Sequence, residues 1–197
     1  MKTVRKSLIL AACAIMLVCA TIAGTLAYLT STDTVTNTFT VGNVSIKLDE
    51  AKVDVNGKAV TPEQRVKENK YKLLPGQTYS KDPTIHVQAG SEDCYVFVKV
   101  ENDLSGIEGD TTIDQQMKNN GWTVIDRSNG IYGMANPVRE GTDVVVFNNF
   151  TISGDTNART LAGYANAKIK VTAYAIQAKG FDSAEDAWAN AGNEAQA

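Results

Sequence analysis

The sequence predicts an all-β protein, a jelly-roll-like β-sandwich carrying a short inserted helix and a short C-terminal helix. Three observations predict it. Apolar and polar residues alternate at period two in several separate stretches. Turn signals such as Asn56-Gly57 and Asn129-Gly130 fall between those stretches, where a two-residue hairpin loop wants positive φ at both central positions. Only two segments carry a helical pattern, and strands recurring at this spacing suit a sandwich or jelly roll.

The chain opens with Lys2, Arg5 and Lys6, followed by the uncharged run Ser7 to Ala23. This is the layout of an export signal, and Thr25-Leu26-Ala27 sets small residues at the -3 and -1 positions of a cleavage site. Cleavage after Ala27 makes residues 1–27 a signal peptide and Tyr28 the new N-terminus of a secreted domain, 28–197. An uncleaved anchor is the alternative, but the run is short of the ~20 residues a spanning helix prefers. A lipoprotein site at Leu10-Ala11-Ala12-Cys13 fits less well, because the apolar run continues well beyond the cysteine.

Within the body, Val44, Ile46 and Leu48 alternate with Ser45, Lys47 and Asp49. Val96, Val98 and Val100 do so within Tyr95 to Glu101, and Ile169, Val171, Ala173 and Ala175 alternate with Lys168, Lys170 and Thr172. Further strands are expected over 52–55, 58–61, 84–88, 122–126, 130–134 and 144–152. The inserted helix is expected over 114–120, ended by Gly121. The C-terminal helix is expected to be capped by Asp182 with Glu185 three residues on, docking Trp188 through a stripe of Ala184, Ala187 and Ala191. No repeat or linker divides the body, so one domain is expected.

Composition excludes several function classes. The 22 acidic and 19 basic residues leave a formal net charge of -3, with no basic footprint for nucleic acid. Loss of Lys2, Arg5 and Lys6 with the signal takes that charge to -6 and removes Cys13 and Cys19, leaving His86 and Cys94 as the only histidine and cysteine. A multi-histidine metal centre or a four-thiolate zinc site is then out of reach. The domain must hold together through its core without an internal disulfide.

His86 and Cys94 lie four residues either side of Gly90, so a hairpin centred there would face them as base and nucleophile. Glu92 and Asp93 would raise the thiol pKa, and the two strands can instead belong to different sheets; a buried structural cysteine and a surface histidine is the reading adopted. Residues 54–58 and 154–157 lack the spaced acidic pattern of a calcium loop and read as turns. The tyrosines are too evenly spread to nominate a ligand platform, and Lys67 to Lys72 reads as a solvated loop. No metal, cofactor-binding or catalytic residue is assigned.

The signal followed by Gly24-Thr25-Leu26-Ala27-Tyr28-Leu29-Thr30, with Asn37-Thr38-Phe39-Thr40-Val41-Gly42-Asn43-Val44-Ser45-Ile46 beyond it, resembles Gram-positive exported proteins processed by the SipW-type signal peptidase. Leu73-Leu74-Pro75-Gly76-Gln77-Thr78, then Lys81-Asp82-Pro83, resembles the L-x-P-G element of the TasA and camelysin family. Ala175-Ile176-Gln177-Ala178 and Phe181, within Ala173 to Trp188, are similar to the end of short clostridial members. The resemblance implies a jelly-roll body, secretion to the extracellular or biofilm matrix or cell surface, and self-association into fibres. In such fibres the N-terminal segment of one subunit completes the sheet of the next.

This chain has a segment suited to that role within residues 28–41. Thr34 to Val41 lacks Pro and Gly and alternates Val35, Asn37, Phe39 and Val41 with threonines, which favours an extended strand able to add to a sheet edge. The same segment also suits the domain's own first edge strand. The camelysin branch implies a metalloendopeptidase instead, yet no H-E-x-x-H occurs and His86 is followed by Val87 and Gln88. A structural, non-enzymatic matrix protein is therefore expected; the alternatives are the peptidase and a non-polymerising surface protein. Contact with a membrane is expected only through the signal before cleavage.

Overall fold

The computed structural model describes residues 43–195. The signal, its Ala27/Tyr28 junction and the strand candidates Val35, Asn37, Phe39 and Val41 lie outside the described residues. The described body is mostly β, with three antiparallel sheets and a few short helices.

The first sheet has the order β2-β1-β4-β8, built from β1 (Ile46–Ala51), β2 (Arg65–Val66), β4 (Thr84–Val87) and β8 (Asp143–Val145). The second has the order β10-β5-β7-β6, built from β5 (Cys94–Asn102), β6 (Trp122–Asp126), β7 (Ile131–Met134) and β10 (Ile169–Gln177). β3 (Thr78–Ser80) and β9 (Asn149–Thr151) form a small pair. The helices are α1 (Ile113–Asn119), α2 (Ala158–Ala162) and α3 (Ala184–Ala195).

The period-two pattern decides which faces meet. Ile85 and Val87 of the first sheet and Cys94, Val96 and Val98 of the second share one core with Tyr79, Trp122, Phe147 and Phe150. The intervening residues of β5, Tyr95 and Phe97, point to the other side of the second sheet, where α3 covers them with Ala184 and Ala187. The expected docking of Trp188 is present: its ring lies 5.0 Å from Phe97 and 5.6 Å from Tyr174. β5 is thus apolar on both faces over Cys94 to Val98, and alternates with Lys99 and Glu101 only beyond.

α1 begins one residue before its expected start and is fixed by a reciprocal cap, in which Thr112 accepts from the Gln115 backbone and the Gln115 side chain accepts from Thr112. The C-terminal helix is capped by Ser183, whose hydroxyl accepts from the Asp186 N–H, and not by Asp182. The expected strand over 144–152 is two strands in different sheets. The buried Gln116 takes the Asn148 and Asn149 N–H groups on its side-chain oxygen, drawing the chain out of one sheet and into another. The segments 52–55 and 58–61 meet only at one bridge, Val53 to Ala59.

Both Asn-Gly loops depart from the two-residue geometry. Gly57 and Gly130 have φ of 78° and 67°, but no non-glycine residue has positive φ among the described residues. Each glycine instead closes a turn begun three residues earlier, Asp54 O accepting from Gly57 N–H and Arg127 O from Gly130 N–H. Asp54 and Asp126 accept backbone N–H groups inside these loops, which favours the longer turn.

Candidate functional site

The main concave feature is a groove of about 1190 Å³ between β1 and β10. Its walls are Leu48 to Glu50, residues 67–71 and the start of β10, with Leu104, Phe150, Leu161 and Tyr164 deeper in. The Lys67 to Lys72 stretch is the solvated loop expected, with Lys67, Glu68, Lys70 and Lys72 exposed, and it also lines this groove. Lys67 Nζ donates to the Leu48 carbonyl, and Asn69 is bonded to β1. Two of the tyrosines meet around Phe150: Tyr71 meets Phe150 and Tyr79 edge-on at 5.1 and 5.8 Å, and Tyr79 stacks on Phe150 at 5.0 Å.

Two strand edges border the groove. Asp103 N–H donates to Lys168 O, and Ala178 N–H donates to Asp93 O. Antiparallel strands alternate the direction of their backbone groups, so even-numbered residues of β10 bond β5 and Ile169, Val171, Ala173, Ala175 and Gln177 turn theirs outward. Among the described residues nothing pairs with that edge in a sheet. β1 repeats the arrangement. Gln88 N–H donates to Ser45 O, so odd residues serve β4, and the backbone groups of Ile46 and Leu48 face outward, where among the described residues Lys67 takes the Leu48 carbonyl. Side chains along both edges, among them Val44, Ile46, Leu48, Ile169, Val171 and Ala173, are apolar and only partly buried.

One end of the groove is polar. Glu50 lies on the same face of β1 as Ile46 and Leu48 but is 4% exposed. One carboxylate oxygen pairs with Lys81 Nζ, and the other accepts from Asn69 Nδ2 at 2.9 Å.

A second polar group lies on the opposite face of the first sheet. Asp49, with its side chain 2% exposed, accepts on Oδ1 from Arg65 Nε at 2.7 Å and pairs there with His86 Nε2 at 2.9 Å. Lys47 Nζ sits 2.7 Å from Oδ2 as an ion pair, and among the described residues no directed hydrogen bond reaches that oxygen. His86 Nδ1 is 2.6 Å from Asp143, and Arg65 also grips Asp82 at 2.6 Å. With a carboxylate at each ring nitrogen, the imidazole must donate from both, which is the charged form. Burial pushes His86 down, and Asp49 and Asp143 more than reverse it, holding it above the usual histidine range. Burial likewise pushes Asp49 up, and Lys47, Arg65 and His86 hold it well below the usual carboxylate range. His86 is thus a half-buried strut between strands and not the surface histidine expected.

His86 and Cys94 belong to different sheets. Cys94 is fully buried beside Val138, and burial, with the charge of Asp93, pushes its thiol up to about 11. It is a core residue, as expected, in the opposite condition from an activated nucleophile. Among the described residues no group of three or more His, Cys, Asp and Glu is arranged to hold a metal ion, and no helix is long and apolar enough to cross a membrane. No family model, curated protein or solved structure matches this chain.

Proposed function

We propose that the chain is an exported structural protein of the extracellular or biofilm matrix, with a jelly-roll-like body that joins its neighbours by strand addition. The observation that carries this reading is the groove itself: two outward-facing strand edges flank a partly buried apolar seam. A sheet edge with free N–H and C=O groups is a template for another strand, and monomeric proteins usually blunt it. Among the described residues β10, nine residues long, presents such an edge through its five odd-numbered residues.

The occupant is residues 34–41 of the next subunit, freed by signal cleavage at Ala27. Val35, Phe39 and Val41 supply one apolar face for the seam, and the backbone bonds the edge of β10 or β1. On this reading the protein acts through assembly and not through catalysis. Its partners are further copies of itself and, during export, a SipW-type signal peptidase.

Electron microscopy of the mature protein, residues 28–197, against residues 42–197 tests the reading. Fibres from the first and none from the second are expected. Fibres of normal shape from the truncated chain would sink strand donation, and monomers from both would sink the matrix role.

A further inference from the structure

Three side chains meet at the polar end of the groove around one carboxylate. Glu50 lies on β1, Asn69 in the segment after β2 and Lys81 immediately after β3. The Glu50 carboxylate touches both others, Lys81 Nζ on one oxygen and Asn69 Nδ2 on the other. The side chains of Lys81 and Glu50 are only 11% and 6% exposed. The Asn69 amide is held in one orientation, its Nδ2 donating also to the Ala51 carbonyl at 2.8 Å and its Oδ1 accepting from the Val53 N–H at 2.9 Å.

We infer that Lys81 and Asn69 form an intramolecular isopeptide bond, with Glu50 as the proton carrier. A lysine is an ordinary cation in water, but next to a buried carboxylate its proton has a short path away. With the proton on Glu50, the Lys81 amine is a nucleophile. Its lone pair attacks Asn69 Cγ, forming a C–N bond while the electrons of the carbonyl move onto Oδ1. The Val53 N–H already points at that oxygen and stabilises the developing negative charge.

Glu50 gives its proton to Nδ2 and takes one from the attacking nitrogen, using the two oxygens that already contact those atoms. The Cγ–Nδ2 bond breaks and ammonia departs, leaving a secondary amide between the side chains. No oxidant, metal or activated donor is consumed. Ammonia escapes through the open groove, which makes the reverse reaction negligible in dilute solution. One carboxylate holding both reactants supplies the proximity that makes such amide exchange feasible without an enzyme.

The bond ties the groove wall at residue 69 to the strand connection at residue 81, in a domain with no disulfide and one buried free cysteine. It closes the loop that contains β3 and the Leu73-Leu74-Pro75-Gly76 turn. A covalent tie there keeps residues 69–81 from being drawn out when the chain is pulled.

Intact-mass measurement of the unfolded mature protein tests the bond. The expected mass is about 17 Da below that of the sequence, the loss of one ammonia. Tryptic digestion should then give Glu68–Lys70 joined to a peptide that runs from Leu73 to Lys99 uncut at Lys81. Glu50→Gln, Lys81→Arg and Asn69→Ala should each restore the sequence mass, and Asn69→Asp should lose about 18 Da, as water leaves in place of ammonia.

A wild-type mass equal to that of its sequence overturns the inference, whatever the variants do. So does an ammonia loss that peptide sequencing places at Asn56 or Asn129 as a cyclic imide, with Lys81 free.

Discussion

Replacing Asp49 with alanine removes the acceptor at the centre of the outer polar group on the first sheet. Two direct contacts are lost, from Arg65 at 2.7 Å and His86 at 2.9 Å, together with the Lys47 ion pair. Charge-assisted bonds contribute about 1.5–3 kcal/mol each, so the gross loss is about 3–6 kcal/mol. The net figure is smaller because the partners are not stranded. Arg65 keeps Asp82, His86 keeps Asp143, and their side chains, 27% and 25% exposed, regain water.

A loss of about 2–3 kcal/mol is expected on that ground, below the 3–5 of a fully buried broken pair. In a domain of this size it lowers the melting temperature by about 4–12 °C. The pH dependence carries the sharper test. Asp49 has a depressed folded pKa, so its contribution is present above the ordinary value of 3.8 and is lost as pH falls through the lower folded value. His86 has a raised folded pKa, so its contribution is complete below 6.5 and is lost as pH rises through the higher folded value.

Urea unfolding of wild type and variant, followed by tryptophan fluorescence between pH 4 and 9, should show the widest gap between those two ordinary values. The gap should then narrow on the alkaline side. A gap under about 1 kcal/mol at pH 5.5, or one that widens above pH 7, would refute a charged His86 held by Asp49.

Tyr79 is fully buried, and its hydroxyl donates to Lys72 O at 2.6 Å and accepts from Leu74 N–H at 2.7 Å. Tyr79→Phe should cost about 1–3 kcal/mol in urea unfolding by leaving both backbone groups unpaired, whereas a neutral result would mean that water replaces the hydroxyl. Gly57→Ala and Gly90→Ala form a matched pair, with φ of 78° and 79°. Both incur the left-handed cost of about 1–2 kcal/mol, but only at Gly57 does an added Cβ meet Tyr79 Cα, at 2.8 Å. Gly57→Ala should therefore be clearly the worse of the two, and equal melting temperatures would contradict the packing. The Cys94 thiol, pushed up to about 11 and fully buried, should resist iodoacetamide at pH 8 in the folded protein and react readily in urea; rapid native labelling would refute its burial.

The parts of the fold that could be read from the sequence are those where one strand face meets the core. β1, β5 and β10 announce themselves through period two, α1 through its closing Gly121 and α3 through its alanine stripe, while both helix caps lie at residues the sequence reading did not name. β2 and β3 have two and three residues, too short to show any period, and their strand character comes from partners far along the chain. Within the stretch 144–152 the sheet change is dictated by the Gln116 side chain, some thirty residues away. The groove was hidden for the same reason: the edges of β1 and β10 become neighbours only once both sheets exist.

One residue did carry a local signal of the polar end. The alternation Val44, Ile46, Leu48 continues in register to Glu50, which places a carboxylate where the core face requires an apolar side chain. An unpaired charge at such a place costs several kcal/mol, so a strand that keeps one must bring a cation or donors to it. Lys81 and Asn69 meet that demand from two connections that follow β3 and β2. Pairing alone would be served by Lys81. The Asn69 amide also joins Val53 N–H and Ala51 O, so it ties the Glu50 carboxylate to the backbone of the same stretch, which neutralising Glu50 alone does not require. That fixed orientation is what the proposed amide exchange requires of Asn69.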